Sequence, residues 1–451
     1  MDATLARIIQ NFSLDDFRPI IPRALDLEKP LVPHAGNLAT VVMGVRRCGK
    51  TYRLFQEMDA LLAAGVQPGR MLYFNFEDNR LAERTPELGD RVLQTFFELH
   101  PDSYEHGAYF FFDEIQEVNG WDTWLRRVID TTKATIYVTG SSSKLLSEEI
   151  ASAFRGRSVV YELSPYSFSE YVHLHDPGLA EAVRDWKPVV SSGDEARAKR
   201  LFGDYLTRGG FPAVQDATER RAINVLQGYV QNAVAKDVIE RHNLGNPRAV
   251  QAFARRLMAT SGRSLSIRKA ENELRSSGIA VSRNFLAQVL GYFEDAFLVG
   301  TVEELSRSLS NAGRAMPKVY AIDHGLALAN SPAATQDEGQ RLETVVYNEL
   351  RRRRAGGRPG EISTLKTSEG YEVDFVMGDA VLRQDFELYQ VSVSVEDERT
   401  LARELRALDA AMDEQDLATG TLLVGDGESR EIAVPHGTVH QIPVWRWALE
   451  S

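Results

Sequence analysis

Between residues 39 and 140 the chain repeats one pattern, a short apolar run followed by a stretch with helical spacing. The runs are ATVVMGV (39–45), MLYFNFED (71–78), AYFFFDEI (108–115) and ATIYVTG (134–140), and the helical stretches between them fall at 50–63, 88–100 and 123–130. Runs that stay apolar throughout, instead of alternating, belong to strands covered on both faces. Strands separated by helices form βαβ units, so the pattern predicts an α/β domain with a parallel sheet over residues 36–165. Ahead of it, residues 1–35 read as a short helix (3–10) and a Pro-containing connector.

The first run leads into GVRRCGKT (44–51), which fits the phosphate-loop spacing G-x-x-x-x-G-K-[ST] with a strand before it and a helix after it. The glycines let the backbone curl so that its N–H groups face phosphate oxygens, and the helix N-terminus adds a positive dipole end. Gly44, Val45, Arg46, Arg47, Cys48, Gly49, Lys50, Thr51 and Tyr52 are therefore the expected nucleotide cradle. Lys50 is placed to neutralise the β- and γ-phosphates, and Thr51 offers a hydroxyl to Mg²⁺. Arg46 and Arg47 are read as touching nucleotide or a partner, and Cys48 as filling space.

Such a loop needs an acid at the end of another strand, and FFFDEI supplies two. Asp113 is the expected Mg²⁺ ligand, and Glu114 the general base that polarises the attacking water. The next run ends TGSSS (139–143), where Ser141, with Ser142 as the near alternative, is expected beside the γ-phosphate. FRGRS (154–158) carries Arg155 and Arg157, candidates for an arginine supplied to a neighbour's nucleotide to stabilise transition-state charge.

These residues resemble a family of bacterial and archaeal AAA-type ATPases, AAA family 14, whose C-terminal half carries domain of unknown function 4143. GVRRCGKT, FFFDEIQ, TGSSS, FRGR, LSPYSFSEY (163–171), GGFP (209–212), KVYAIDHGL (318–326) and YEVDFV (371–376) carry the resemblance across nearly the whole chain. It implies ATP and Mg²⁺ as cofactors, ATP hydrolysis, and a P-loop AAA-type sheet followed by a helical lid at 166–235.

At 451 residues the chain has room for about three domains. Its net charge of −12 excludes a general nucleic-acid coat, so DNA contact requires a local patch. Residues 236–325 hold 13 Lys+Arg against 9 Asp+Glu. There, a helix over 264–276, a turn containing Gly278, and a second helix capped by Ser282 follow helix-turn-helix grammar, with a wing expected around Asn311–Gly313. This predicts a winged-helix-like domain at 236–330, with Arg268, Lys269, Arg283 and Asn284 as candidates for DNA contact.

Residues 331–451 resemble the restriction-endonuclease-like α/β fold in degenerate form. Glu343 on a helix and Glu372 and Asp374 on a strand are in place, but the E-x-K triplet reads Gln390–Val391–Ser392. A neutral glutamine and a serine lose a metal ligand and a positive charge, so the domain is expected not to cleave. The sequence thus points to a DNA-remodelling homo-oligomer, with a hexameric ring as the candidate assembly, and to a nucleotide-gated scaffold for a protein partner as the alternative. No membrane span and no secretion signal is legible, so a cytoplasmic location is expected.

Overall fold

A computed structural model describes the chain except residues 1, 82, 142–155, 185–190, 306–315, 332–336, 357–359, 380–383 and 451. It divides into two compact units, residues 1–163 with 295–297, and residues 164–294 with 298–451.

In the first unit β1 (Ala39–Met43), β2 (Met71–Asn75), β3 (Ala108–Asp113), β4 (Ala134–Gly140) and β5 (Ser158–Glu162) form a parallel sheet in the order β2-β3-β4-β1-β5. The three expected helices are present as Lys50–Ala63, Pro86–Leu99 and Trp121–Thr131. Phe110, Phe111 and Phe112 are fully buried, which is why their run does not alternate. Each such ring contributes about 1.5–3 kcal/mol on burial. Phe111 stacks on Tyr137 at 4.9 Å, and Phe112 meets Trp124 at 5.4 Å. Gly89 makes room for Trp124, because a Cβ there would lie 2.4 Å from its ring. The edge strand β5 carries no long apolar run and was not expected. Because β1 is inserted beside β4, the loops leaving β1, β3 and β4 gather at the carboxyl edge of the sheet, where open α/β sheets bind ligands.

The second unit begins with the helices Phe168–His175, Pro177–Arg184, Ser192–Arg208 and Glu219–Asn232, matching the expected helical stretch. The motifs of this region meet one another. Tyr166 N–H donates to Gly210 O (2.8 Å), Gly210 N–H donates to Asp323 Oδ2 (2.7 Å), and Tyr205 OH donates to Tyr166 O (2.8 Å). The Arg352 guanidinium donates to the carbonyls of Pro165 and Tyr166, each at 3.2 Å. Gly209 has φ +75°, and a Cβ there would lie 2.3 Å from Asp323 Oδ1, so the Gly-Gly turn admits the carboxylate. LSPYSF, GGFP and DHGL are thus parts of one buried polar hub.

Two helices joined by a short turn lie at Ile267–Ser276 and Arg283–Asp295, the first starting three residues later than expected, and Phe285 N–H donates to Ser282 Oγ at 3.3 Å. The strands β7 (Val299–Glu304) and β8 (Lys318–Ala321) pair antiparallel where the hairpin was expected, with its turn at Asn311–Gly313 outside the described residues, while β6 (Arg263–Ser264), which pairs with β8, begins inside the stretch expected to be helical. Further strands among the described residues are β9 (Glu361–Lys366), β10 (Glu372–Asp379), β11 (Gln384–Ser392), β12 (Thr419–Val424) and β13 (Arg430–Val434). With β14 (Gly437–Pro443) they make a single sheet in the order β13-β14-β12-β11-β10-β9-β7-β8-β6. Pairing of β7 with β9 carries the sheet across residue 330, the boundary expected from the sequence. Val346, Tyr347 and Leu350 of helix Glu338–Ala355 share a core with Phe375 and Met377. Leu408 and Met412 of helix Glu398–Gln415 share another with Val373 and Val376. Among the described residues no helix is long and apolar enough to cross a membrane.

Candidate active site

The loop after β1 turns sharply at two glycines. Gly44 has φ +151° and a Cβ there would lie 2.1 Å from Leu163 O, so no other residue fits. Gly49, at φ +106°, starts helix Lys50–Ala63. Arg47 takes φ +71° without being glycine. The Arg23 guanidinium clamps the loop from outside, donating to Cys48 O at 2.8 Å. Cys48 is fully buried and burial pushes its thiol up, which fits space-filling and not thiolate chemistry.

Lys50 Nζ lies 3.2 Å from Gly44 O, 3.4 Å from Val45 O and 3.5 Å from Glu114 Oε1. Burial opposes its charge most, but the charges of Glu114, Cys48 and Asp113 together outweigh it and hold the ammonium above its ordinary range. Asp113 closes β3 fully inside the unit. Its Oδ2 accepts from Thr51 Oγ1 (2.8 Å) and Tyr73 OH (2.9 Å), and its Oδ1 accepts from the Thr139 hydroxyl. Burial, then the charge of Glu114, pushes the Asp113 carboxyl up.

Glu114 follows in a left-handed conformation, φ 51° and ψ 49°, which costs an ordinary residue about 1–3 kcal/mol and persists only where neighbours hold it. Its N–H donates to Thr139 Oγ1 at 3.0 Å, and its Oε2 accepts from Gln116 Nε2 at 2.5 Å. Burial works against its charge, yet Lys50 and then Gln116 keep the carboxyl below the usual range. Ser141, fully buried at the end of β4, has its Oγ 3.4 Å from Gln116 Nε2.

Lys50, Thr51, Asp113, Glu114 and Ser141, chosen from the sequence on three separate loops, therefore converge. Tyr52 is exposed, with Phe17 and Phe55 rings 6.4 and 5.6 Å from its own. Arg46 pairs with Glu77 at 3.3 Å, and Arg157 pairs with Asp130 at 3.0 Å. Arg155 and Ser142 lie outside the described residues. Sequence reasoning missed Tyr73, Thr139 and Gln116. The signal for the first was a polar hydroxyl in the apolar run MLYF, and for the last the two-residue spacing in DEIQ. The donor set fits the implied ligands: Thr51 and Asp113 offer the hard oxygens that Mg²⁺ prefers, beside a glycine-shaped loop and a buried ammonium.

Arg268, Lys269, Arg283 and Asn284 are all exposed on the two helices. Arg283 Nε lies 3.9 Å from Glu271 Oε2, and Glu271 also pairs with Arg275 at 2.9 Å. Towards the C-terminus an expectation is corrected. The positive charge thought lost with Ser392 is present, delivered by Lys318 from β8, because the sheet continues through β7 and β8. Lys318 Nζ donates to Glu343 Oε1 (2.7 Å) and to Asp374 Oδ1 (3.1 Å), and Tyr320 OH donates to Glu343 Oε1 at 2.5 Å. Gln390 is committed elsewhere, accepting from Asp374 N–H at 3.2 Å and donating to Glu404 Oε2 at 2.7 Å. Among the described residues no group of three or more His, Cys, Asp or Glu is placed to hold a metal.

Residues 36–172 match the family described as AAA domain, and residues 199–337 match a domain of unknown function, DUF8612. The second match corrects the expectation of domain of unknown function 4143. The chain is 30% identical to the uncharacterized protein MJ1544 of Methanocaldococcus jannaschii, over 98% of this chain and 94% of that protein. It is 27% identical to an uncharacterized protein of Haemophilus influenzae, covering 74% of this chain and 78% of the other. Similar solved structures include the Aeropyrum pernix ORC2 protein in ADPNP–ADP complexes, at 12% identity, 76% and 92% coverage and a TM-score of 0.36. The Aeropyrum pernix ORC1 protein in complex with DNA matches at 16% identity, 72% and 91% coverage and a TM-score of 0.27. These two likenesses are remote, and the fold rests on the order of the sheet.

Proposed function

As this chain belongs to the family that includes M. jannaschii MJ1544 and carries an AAA domain over residues 36–172, we propose that it is a Mg²⁺-dependent ATP hydrolase. The observation that carries the reading is the meeting of Lys50, Thr51, Asp113 and Glu114 at the carboxyl edge of one parallel sheet, with Lys50 3.5 Å from Glu114 and Thr51 2.8 Å from Asp113. The loop N–H groups and the helix start bind phosphate, and Lys50 exchanges its loop carbonyls for phosphate oxygens. Thr51 and Asp113 hold Mg²⁺, which when bound screens the phosphate charge. Glu114, kept ionised by Lys50, takes the proton of the attacking water, with Ser141 alongside. Phosphate release by the purified full chain tests this, with Glu114→Gln expected to bind ATP and turn it over slowly. Equal turnover in this variant and the wild type would remove Glu114 as base.

We further propose that the chain assembles as a ring-forming homo-oligomer in which Arg155 or Arg157 reaches a neighbour's nucleotide, and that it acts on DNA through Arg268, Lys269, Arg283 and Asn284. Exposure of all four on a helix-turn-helix supports the DNA reading. Mobility shifts with duplex, forked and four-way DNA at low salt test it, since phosphate contacts strengthen as salt falls. The pairing of Glu271 with Arg275 and Arg283, in a chain of net charge −12, favours the second reading, a nucleotide-gated scaffold for a protein partner. That reading expects no shift and no DNA effect on turnover. The C-terminal centre is proposed to hold shape and not to cut, because Gln390 is neutral and both its amide atoms are engaged. Plasmid cleavage in Mg²⁺ or Mn²⁺ would overturn this.

A further inference from the structure

Glu114 follows the last residue of β3 with three side-chain torsions to fix, and its backbone is already in a left-handed conformation. Its N–H is anchored by Thr139, which leaves the carboxylate to be oriented by other groups. Lys50 is one, at 3.5 Å from Oε1, but that ammonium is the group expected to turn to phosphate. Ser141 also hydrogen-bonds the carboxylate, and the shortest contact is with Gln116, on the 3-10 turn Ile115–Glu117, whose Nε2 is 2.5 Å from Oε2 and 3.4 Å from Ser141 Oγ. Its own Oε1 is buried with no hydrogen-bond partner among the described residues. A buried carbonyl left unpaired is costly, and turning the amide over would set an acceptor against a carboxylate. The side chain therefore stands here for its donor.

We infer that Gln116 is the positioning residue for the general base: its amide fixes the Glu114 carboxylate and links it to Ser141, so that the base stays aimed when Lys50 moves to the nucleotide. This deepens the hydrolase reading and rests on it. Gln116 touches neither the loop nor Thr51 in the described contacts, so its loss changes the chemical step and leaves nucleotide binding alone. A carboxylate displaced by about 1 Å from its water loses on the order of a hundredfold in rate.

The test uses the full chain and steady-state phosphate release, with the wild type measured first. Gln116→Met keeps the length and packing but removes the donor, and Gln116→Glu keeps the shape but sets a second negative charge beside Glu114. Both are expected to lower kcat by about tenfold to a hundredfold, with KM for ATP within about twofold of wild type. In a double-mutant cycle with Glu114→Gln, the added Gln116→Met is expected to cost nothing further, since the glutamine acts through the glutamate. Wild-type kcat in Gln116→Met, or a full multiplicative loss in the double variant, would overturn the inference while leaving hydrolysis intact. A folded wild type that binds ATP and releases no phosphate would overturn the hydrolase reading, and this inference with it.

Discussion

Two largely buried lysines in this chain pair with acids, Lys50 with one and Lys318 with two, and the two settings differ in how fully the cation is used. Lys50, its side chain 4% exposed, stands 3.5 Å from one acid and otherwise leans on the loop carbonyls of Gly44 and Val45. Lys318, 18% exposed, bridges both of its acids at 2.7 and 3.1 Å, and Tyr320 takes up one of the same oxygens. A single long ion pair, with its other contacts to two carbonyls, leaves the ammonium able to exchange partners. A doubly bridging ammonium neutralises the acids that a metal would otherwise need. The same three residue types thus make a site open to ligand in one unit and a closed clamp in the other.

The sharpest way to break this comparison is to remove the acid beside each lysine. Glu114→Gln is expected to lower ATP turnover by about 10²–10⁴-fold while nucleotide binding survives, measured by phosphate release and by labelled-nucleotide retention. Lys50→Ala is expected to lose nucleotide binding itself. Glu343→Gln, at the other lysine, is expected to leave turnover unchanged. A fall in turnover with Glu343→Gln comparable to that of Glu114→Gln would make the closed clamp part of the ATPase chemistry and end the distinction.

The two centres also differ in how far the sequence could reveal them. Lys50 and Thr51 sit inside one contiguous turn, and Asp113 and Glu114 end a run of buried aromatics, so strand, loop and acids are read without knowing the sheet order. Lys318 opens the motif KVYAIDHGL, but nothing in that stretch points to Glu343 or Asp374 as its partners. It reaches Glu343 and Asp374 only because β7 pairs in parallel with β9, a long-range pairing that no window of sequence carries. The same reason hid β5, whose SVVYE is half exposed at a sheet edge and lacks the apolar run that marked β3 and β4. Thr139 and Gln116 were hidden for a different reason: they act on Asp113 and Glu114 only through side-chain hydrogen bonds, and a lone Thr or Gln at a strand end has many ordinary uses. LSPYSF, GGFP and DHGL were legible as motifs, but their mutual hydrogen bonding through Asp323 and Arg352 became visible only in three dimensions.

If Lys318 is a clamp, its loss acts on stability. Lys318→Met leaves two acids facing each other, and breaking a buried pair costs about 3–5 kcal/mol, reduced here by partial exposure to roughly 2 kcal/mol. Urea unfolding of the variant is expected to show that loss while ATP turnover holds. The same centre gives the fold a pH dependence. Burial, then the charge of Asp374, pushes the Glu343 carboxyl up from 4.5 to about 7, despite the opposing pull of Lys318. The folded chain therefore binds this proton more tightly than the unfolded chain. Its contribution to stability is full below about pH 4.5 and is lost as pH rises through about 7. The urea midpoint is expected to fall between about pH 5 and about pH 8, and Glu343→Gln is expected to flatten that slope. A midpoint rising over this range in wild type, with the variant unchanged, would assign the pH response to other groups.

The smallest effect belongs to a third pair that extends the comparison to the surface. Arg157 meets Asp130 at 3.0 Å with side chains 35% and 39% exposed, so solvent and salt screen the attraction. Asp130→Asn is expected to change unfolding by less than about 1 kcal/mol. A pair held so weakly can be surrendered to a neighbouring subunit's nucleotide at little cost, as the proposed action of Arg157 in trans requires. Arg157→Ala subunits mixed with Lys50→Ala subunits then distinguish the two uses of the arginine. Recovery of phosphate release above that of either variant alone places the arginine's action across a subunit contact. No recovery, together with a loss well above about 1 kcal/mol in Asp130→Asn, makes the pair a structural tie like that of Lys318.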